Sequence, residues 1–485
     1  MKIKHLILII SLMILFSSSS NAQFIEDALR FSQPTAVFSP RVSALGFSYF
    51  GISDDAAAMI FNPAGLSLIR GYEINTGVDF TTVSNKTNYL NETKKTSDYE
   101  FYISNIQMTF PMSIPVSETE AINYTIGIGY YLDNDFDMGY RFSGFNTKNT
   151  FISQQAAEHS KWIYETWLTD EAYNTNIRNN MQQEGRISEE GGLHNFVCGA
   201  GIDVTDNLSL GASFIIKGGH YDYYRSFMES DSRNLYNTFE IDDIDNVIVS
   251  DILSQEIAGF TGSLGLMARI NDNLRVGASI KFPTYNYIEE DYSSEYTVTY
   301  DSNEVAGVQK FNYSEHGSNN YSITTPFEFS LGTSGYYAGL TFSVSASYKN
   351  ASHLKFDYDL EDQSIATANY FDNLNEDVDN NLTGVWTFGA GLEYKIPDFP
   401  IYIRASYTRI TSPYDIDLTD ASRQMIAGGL GIVCAKNFII DASFRLNSYK
   451  QQQAVYGNLN EPSLYSYYIV NYSPVDYGLG IRYRF

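Results

Sequence analysis

An alternation of period two, recurring from about residue 72 to the last residue, constrains this chain more than any other feature. In Val475 to Phe485 the odd positions Val475, Tyr477, Leu479, Ile481, Tyr483 and Phe485 are apolar, while Asp476, Gly478, Gly480, Arg482 and Arg484 are small or charged. Successive side chains of a strand point to opposite faces, so this pattern describes a strand with one apolar face. Phe438 to Asn447 and Leu274 to Phe282 repeat it. A soluble sandwich buries such a face and solvates the other, and a single strand does not distinguish it from a membrane barrel.

Strand number and connections make the choice. The alternating segments number about fourteen, an even count. Short connections fall at 112–120, 205–207, 271–272, 333–338, 397–400 and 435–436; longer or more polar ones fall at 84–96, 144–189, 227–256, 300–308, 360–383, 413–420 and 450–474. Short turns on one rim and long loops on the other describe an antiparallel transmembrane β-barrel. A weak hairpin repeat, with Asp206-Asn207 and Asp272-Asn273 as turn dipeptides, fits the same meander.

The rest of the sequence agrees. Lys2 and Lys4 precede the apolar run Leu6 to Phe16, and Ser20-Asn21-Ala22 resembles a cleavage site, so residues 1–22 read as a signal peptide. No later stretch approaches the roughly 18 uninterrupted apolar residues of a spanning helix. A net charge of −26 argues against a general binder of nucleic acid or of anionic lipid. Tyr 39 and Phe 31 suit strands and interfacial girdles, and Cys198 and Cys434 are too few for a disulfide scaffold.

Before the first strand lies a small-residue stretch, 46–70. A helical turn is expected over Asp54 to Met59, and Asn62-Pro63-Ala64-Gly65 should break it, with Gly65 supplying positive φ. Residues 23–71 therefore read as a plug inside a barrel of residues 72–485. With the Asn62-Pro63-Ala64 motif just before the first strand and aromatic Tyr483 and Phe485 at the end, the chain resembles the FadL/TodX outer-membrane transporters of hydrophobic compounds. That resemblance implies a fourteen-stranded barrel with an N-terminal hatch in the outer membrane of a Gram-negative bacterium. It implies passive uptake of long-chain fatty acids or related lipophilic compounds, and a lateral opening at a kink in the third strand. Phe485 then resembles the signal read by the barrel-assembly machinery. A monomer contacting outer-membrane lipid is expected, with no cofactor or metal.

Within that frame several residues stand out. Loops 144–189 and 227–256 are expected to carry helices whose Trp162, Ile163, Trp167, Leu168, Phe239, Ile248 and Ile252 form an outer apolar groove or pack to cap the barrel. Alternation turns Arg275, Lys281, Arg404 and Arg445 into the lumen, to meet either a ligand carboxylate or lumen acids, including Asp54 and Asp55 of the plug. Leu132 to Gly139 is rich in strand-poor residues, which makes Asp135 and Gly139 candidates for a lateral opening. His194, His220 and His353 lack metal-ligand spacing, and no hydrolase motif marks an enzyme. The alternatives are a general porin for polar solutes and a surface adhesin or structural barrel. A hatch of some fifty residues argues against both.

Overall fold

The computed structural model describes residues 22–32, 39–115, 121–237, 243–301, 308–358, 365–457, 461 and 463–485. The signal-peptide reading of 1–22 and Phe239 of the expected groove lie, apart from Ala22, outside them. Nineteen strand segments form one sheet. In order they are β1 (Glu73–Tyr89), β2 (Glu92–Pro115), β3 (Ala121–Asp135), β4 (Met138–Asn146), β5 (Met181–Thr205), β6 (Leu208–Ser230), β7 (Ile244–Asn271), β8 (Leu274–Lys281), β9 (Tyr285–Tyr300) and β10 (Lys310–Thr324). There follow β11 (Glu328–Tyr337), β12 (Leu340–Asn350), β13 (Lys355–Tyr358), β14 (Gly384–Lys395), β15 (Ile401–Ile410), β16 (Arg423–Ala435), β17 (Phe438–Tyr456), β18 (Ser466–Tyr472) and β19 (Val475–Arg484).

Five crossings are interrupted, so the segments make a closed antiparallel barrel of 14 strands. Pro283, Pro326 and Pro474 sit in three of the breaks, where a residue without an N–H ends the ladder. Closure is direct: β1 pairs with β2 on one side and with β18 and β19 on the other.

The burial pattern decides between barrel and sandwich. On β19 the apolar Tyr477, Leu479 and Ile481 are 51%, 54% and 42% exposed, whereas Asp476 and Arg482 are 6% and 5% exposed. Apolar side chains face out and charges face in, the reverse of a soluble protein and the arrangement hydrocarbon requires. Among the described residues no helix is long and apolar enough to cross a membrane; the strands do so.

One rim carries tight turns, including Asp206-Asn207 and Asp272-Asn273. The other carries the long connections. The polar loop expected at 84–96 is instead a hairpin: β1 and β2 run on to Tyr89 and Glu92, and Leu90 takes φ 49° at the tip. Residues 227–256 also differ from the helix-bearing loop expected of them, because β6 continues to Ser230 and β7 begins at Ile244. Alternation in Val247, Val249 and Ile257, all buried, favours the strand.

The chain ends beside its first strand. Tyr72 and Phe485 exchange two backbone hydrogen bonds of 3.0 Å, and their rings stack at 5.4 Å. Phe485→Asp places a charge on the outward face of this closing pair, so we expect a several-fold loss of membrane-inserted, heat-modifiable barrel, read by semi-native electrophoresis.

Candidate functional site: the lumen, its plug and the break in the wall

Among the described residues six helices accompany the barrel: α1 (Ala22–Ser32), α2 (Pro40–Leu45), α3 (Ala58–Phe61), α4 (Phe151–Ala157), α5 (Lys161–Glu165) and α6 (Ile365–Asn381). Residues 39–69 fold as α2, a 3₁₀ turn over Gly46–Gly51, α3 and a second 3₁₀ turn over Pro63–Leu68, nearly all buried against the inward faces of the strands. The helical turn begins at Ala58, later than the expected Asp54, because Asp54 and Asp55 are turned toward arginines.

Asn62 explains its motif. Its side-chain oxygen accepts from Ala64 N–H (3.2 Å) and caps the turn that Pro63 opens, while its amide donates to the carbonyl of Leu266 on β7 (3.0 Å). One residue thus ends α3, starts the next turn and hooks it to the wall. Gly65 does not adopt positive φ; it is glycine because a Cβ there would lie 2.0 Å from the Ser53 carbonyl oxygen. Gly265 on the wall has the same cause, since a Cβ would stand 2.1 Å from Asn62 Oδ1.

Charge fixes the plug at a second place. Arg41 on α2 reaches Asp54 (2.6 Å), Asp55 (3.0 Å) and Glu393 of β14 (3.0 Å). Arg404 joins Glu393 and Asp441, both at 2.6 Å, and Arg482 joins Asp55 (3.4 Å) and Asp441 (3.5 Å). Three arginines and four carboxylates form one continuous buried network between plug and wall. Of the expected lumen cations, Arg404 lies within it, Arg445 pairs with Asp476 (2.8 Å), and Arg275 lies 3.9 Å from Asp54 and donates to the Tyr336 hydroxyl. Lys281 is half-buried, and its side chain has no hydrogen bond or ion pair among the described residues. The residue missed by sequence reasoning is Arg41, whose signal was an arginine within an otherwise small-residue plug.

Burial raises the Asp55 carboxyl pKa, but Arg41 and Arg482 outweigh it and hold the group below its ordinary 3.8. A group depressed in the docked state contributes stability above its ordinary pKa and loses it as pH falls through the lower value. We therefore expect plug docking, followed by hydrogen exchange of residues 39–69, to be flat from pH 7 to about 4 and to weaken only below.

The wall breaks at the third strand. The β2–β3 ladder ends at Asn105↔Tyr131, and beyond it β3 and β4 pair with β5 alone among the described residues. From Tyr131 to Asn134 every side chain is buried, so the strand bends into the barrel there. The kink is at Phe136-Asp137, between β3 and β4. Gly139, the expected hinge, sits within β4 opposite Ser188. Asp135 is at the break, where its carboxylate accepts from Asp137 N–H (3.1 Å) and closes the turn between β3 and β4. Two side-chain bonds cross the unpaired stretch, Asn85 Nδ2 to the Gly139 carbonyl (3.1 Å) and Ser143 Oγ to Glu92 (2.9 Å).

Cavities lie inside among the described residues. One of about 130 Å³ lies between plug and wall, with Phe47, Phe61, Ile410 and Met425 on its apolar side and Lys349 and Arg423 at its edge. Another, about 100 Å³, lies behind the break and is bounded by Glu26, Asp135, Glu189 and Tyr449, sharing Arg423 with the first. Above them α1 packs through Leu29 and Phe31 against Phe371 and Leu374 of α6, a helix not expected from the sequence.

The residues expected to line an outer groove or to pack as a cap do not all lie together. Trp162, Ile163 and Leu168 are fully buried, with Trp162 stacked on Tyr296 at 4.4 Å, so they form the core of a cap over the barrel. Trp167 alone is exposed, because α5 has ended and its φ of 65° turns the side chain outward. Ile248 and Ile252 lie on the outward face of β7, away from that cap.

No family model and no curated protein matches the sequence. Solved structures do. The P. putida toluene transporter TodX aligns with a TM-score of 0.54 at 13% identity, over 93% of this chain and 99% of TodX. A Pseudomonas aeruginosa FadL homologue gives 0.56 at 13% identity, over 93% and 99%. The monoaromatic hydrocarbon channel CymD gives 0.51 at 12%, over 92% and 97%. Over nearly its whole length, this chain has the fold of the FadL-type outer-membrane transport proteins.

Proposed function

We propose that the protein is an outer-membrane channel that takes up hydrophobic small molecules passively and releases them sideways through its wall. The observation that carries the reading is the loss of strand pairing beyond Asn105↔Tyr131, directly beside an internal cavity. Residues 23–71 act as the hatch and bar the straight path for polar solutes, which separates this reading from a general porin. Long-chain fatty acids and related lipophilic compounds are the substrate class, and the apolar cavity against the hatch is the resting place in transit. Each methylene moved into hydrocarbon gains ~0.8 kcal/mol, so a long acyl chain prefers leaving into lipid to leaving into water. The Gram-negative outer membrane, a monomeric state and insertion through Phe485 belong to the same reading.

A deletion strain, with and without the restored gene, tests it. Uptake of a radiolabelled long-chain fatty acid or alkylbenzene should depend on the protein, and uptake of a small sugar should not. The opposite pattern would favour the porin.

A further inference from the structure

On the outward face, β17, β18, β1 and β2 carry a row of cations in direct cross-strand register. Lys450 stands opposite Asn471, Asn471 opposite Lys86, and Lys86 opposite Lys95. The three lysines are exposed, and none has an ion pair among the described residues. Their outward neighbours along the strands are Ser448 and Gln452, Ser84 and Asn88, and Thr93 and Ser97, with no carboxylate among them. Across the break a second pair continues the theme: Arg141 of β4 stands opposite Arg186 of β5, both exposed, with Glu184 the nearest outward acid on β5.

Such an arrangement has no internal explanation. Like charges directly opposite in a sheet repel, and in a chain of net charge −26 an acid-free row of lysines runs against the composition. The row also has a definite place. Lys450 is two outward positions beyond Leu446, Lys95 two beyond Tyr99, and Lys86 three beyond Phe80, all exposed apolar residues of the membrane belt. On β17, β1 and β2 the row therefore lies beyond the apolar belt, toward the long loops, with Ile469 and Tyr467 of β18 outward above it.

We propose that Lys450, Lys86 and Lys95, extended across the break by Arg141 and Arg186, bind the phosphate groups of a phosphorylated outer-leaflet lipid headgroup. Phosphate oxygens bridging adjacent ammonium groups turn the repulsion into charge-assisted hydrogen bonds. An acyl anchor seated on the apolar belt below supplies the rest of the contact. The lipid would stand in front of the wall break, as the first molecule met by anything leaving there. The inference rests on the outward face alone, so it stands or falls independently of what crosses the lumen.

Detergent-solubilised protein, native mass spectrometry and two probes test it: bisphosphorylated lipid A, and the same lipid A with its phosphates removed. The intact chain should retain the phosphorylated form about tenfold or more over the other. Lys86→Gln/Lys95→Gln/Lys450→Gln should abolish that preference, while Lys355→Gln/Lys395→Gln/Lys436→Gln, an equal charge change at other exposed sites, should keep it. Millimolar inorganic phosphate should not displace the lipid. Equal retention of both lipids, equal loss in both triple variants, or displacement by free phosphate would overturn the proposal. Heat-modifiable migration identifies variants that are correctly folded.

Discussion

Arg41→Met should undock the hatch. The substitution keeps most of the side-chain volume and removes the one cation that touches Asp54, Asp55 and Glu393 together. Removing one partner from a buried ion network costs about 3–5 kcal/mol where the remaining charges stay buried without compensation, and less where other partners persist. Here Glu393 keeps Arg404 and Asp55 keeps Arg482, but Asp54 is left with only Arg275 at 3.9 Å. We expect hydrogen exchange across residues 39–69 to quicken by about a hundredfold or more. In planar bilayers the variant should conduct small ions where the intact protein is nearly closed. The barrel needs no hatch to keep its ladder, so heat-modifiable migration should not change. A variant as closed and as protected as the parent would show that the network ornaments a plug held by other means.

Filling the wall break should have the second large effect, on transport alone. A side chain built at Gly139 would point toward Thr96 and Asp98, with nothing there closer than 4.0 Å, and only the Ile187 carbonyl oxygen is nearer, at 3.6 Å. Gly139→Trp would therefore be accommodated by the strand while crowding the unpaired seam between β2 and β4. Uptake of a lipophilic tracer should fall at least about tenfold, as expected when a positioned route is blocked sterically. Barrel assembly should be normal, because the β4–β5 ladder around Gly139 is complete. Unchanged uptake in a correctly inserted variant would move the exit elsewhere.

Much of this fold is written in local sequence, and the reason is physical. Alternation at Val475 to Phe485 survives into the structure residue for residue, because every strand of a barrel has one lipid face and one lumen face. The turns at Asp206-Asn207 and Asp272-Asn273 are likewise local. Where strands outrun the membrane the signal fades: 84–96 is mostly polar, and in 227–256 acids interrupt the apolar positions, so both read as loop, while pairing to β18 and β9 makes strand of 86–89 and of 244–256. The motif Asn62-Pro63-Ala64 was visible, but not its hook to Leu266, which lies 204 residues away. Arg41 shows the same limit, since only the closed barrel brings Glu393 of β14 to its guanidinium and Arg404, Asp441 and Arg482 of β15, β17 and β19 into the same network. Trp167 was placed on a helical face with Ile163 and Leu168; one left-handed residue at the end of α5 was enough to reverse it.

Release through the wall should be stopped by a reversible lock across the break. In a background with Cys198→Ser and Cys434→Ser, both native cysteines being exposed, the pair Thr96→Cys/Gly139→Cys would place two thiols on facing edges of the seam. Oxidised and reduced samples of this one protein can then be compared for delivery of a lipophilic fluorophore into proteoliposome bilayers. The account predicts that delivery stops on oxidation and returns with dithiothreitol, with each single-cysteine variant indifferent to both. Delivery at full rate through the locked wall would contradict it.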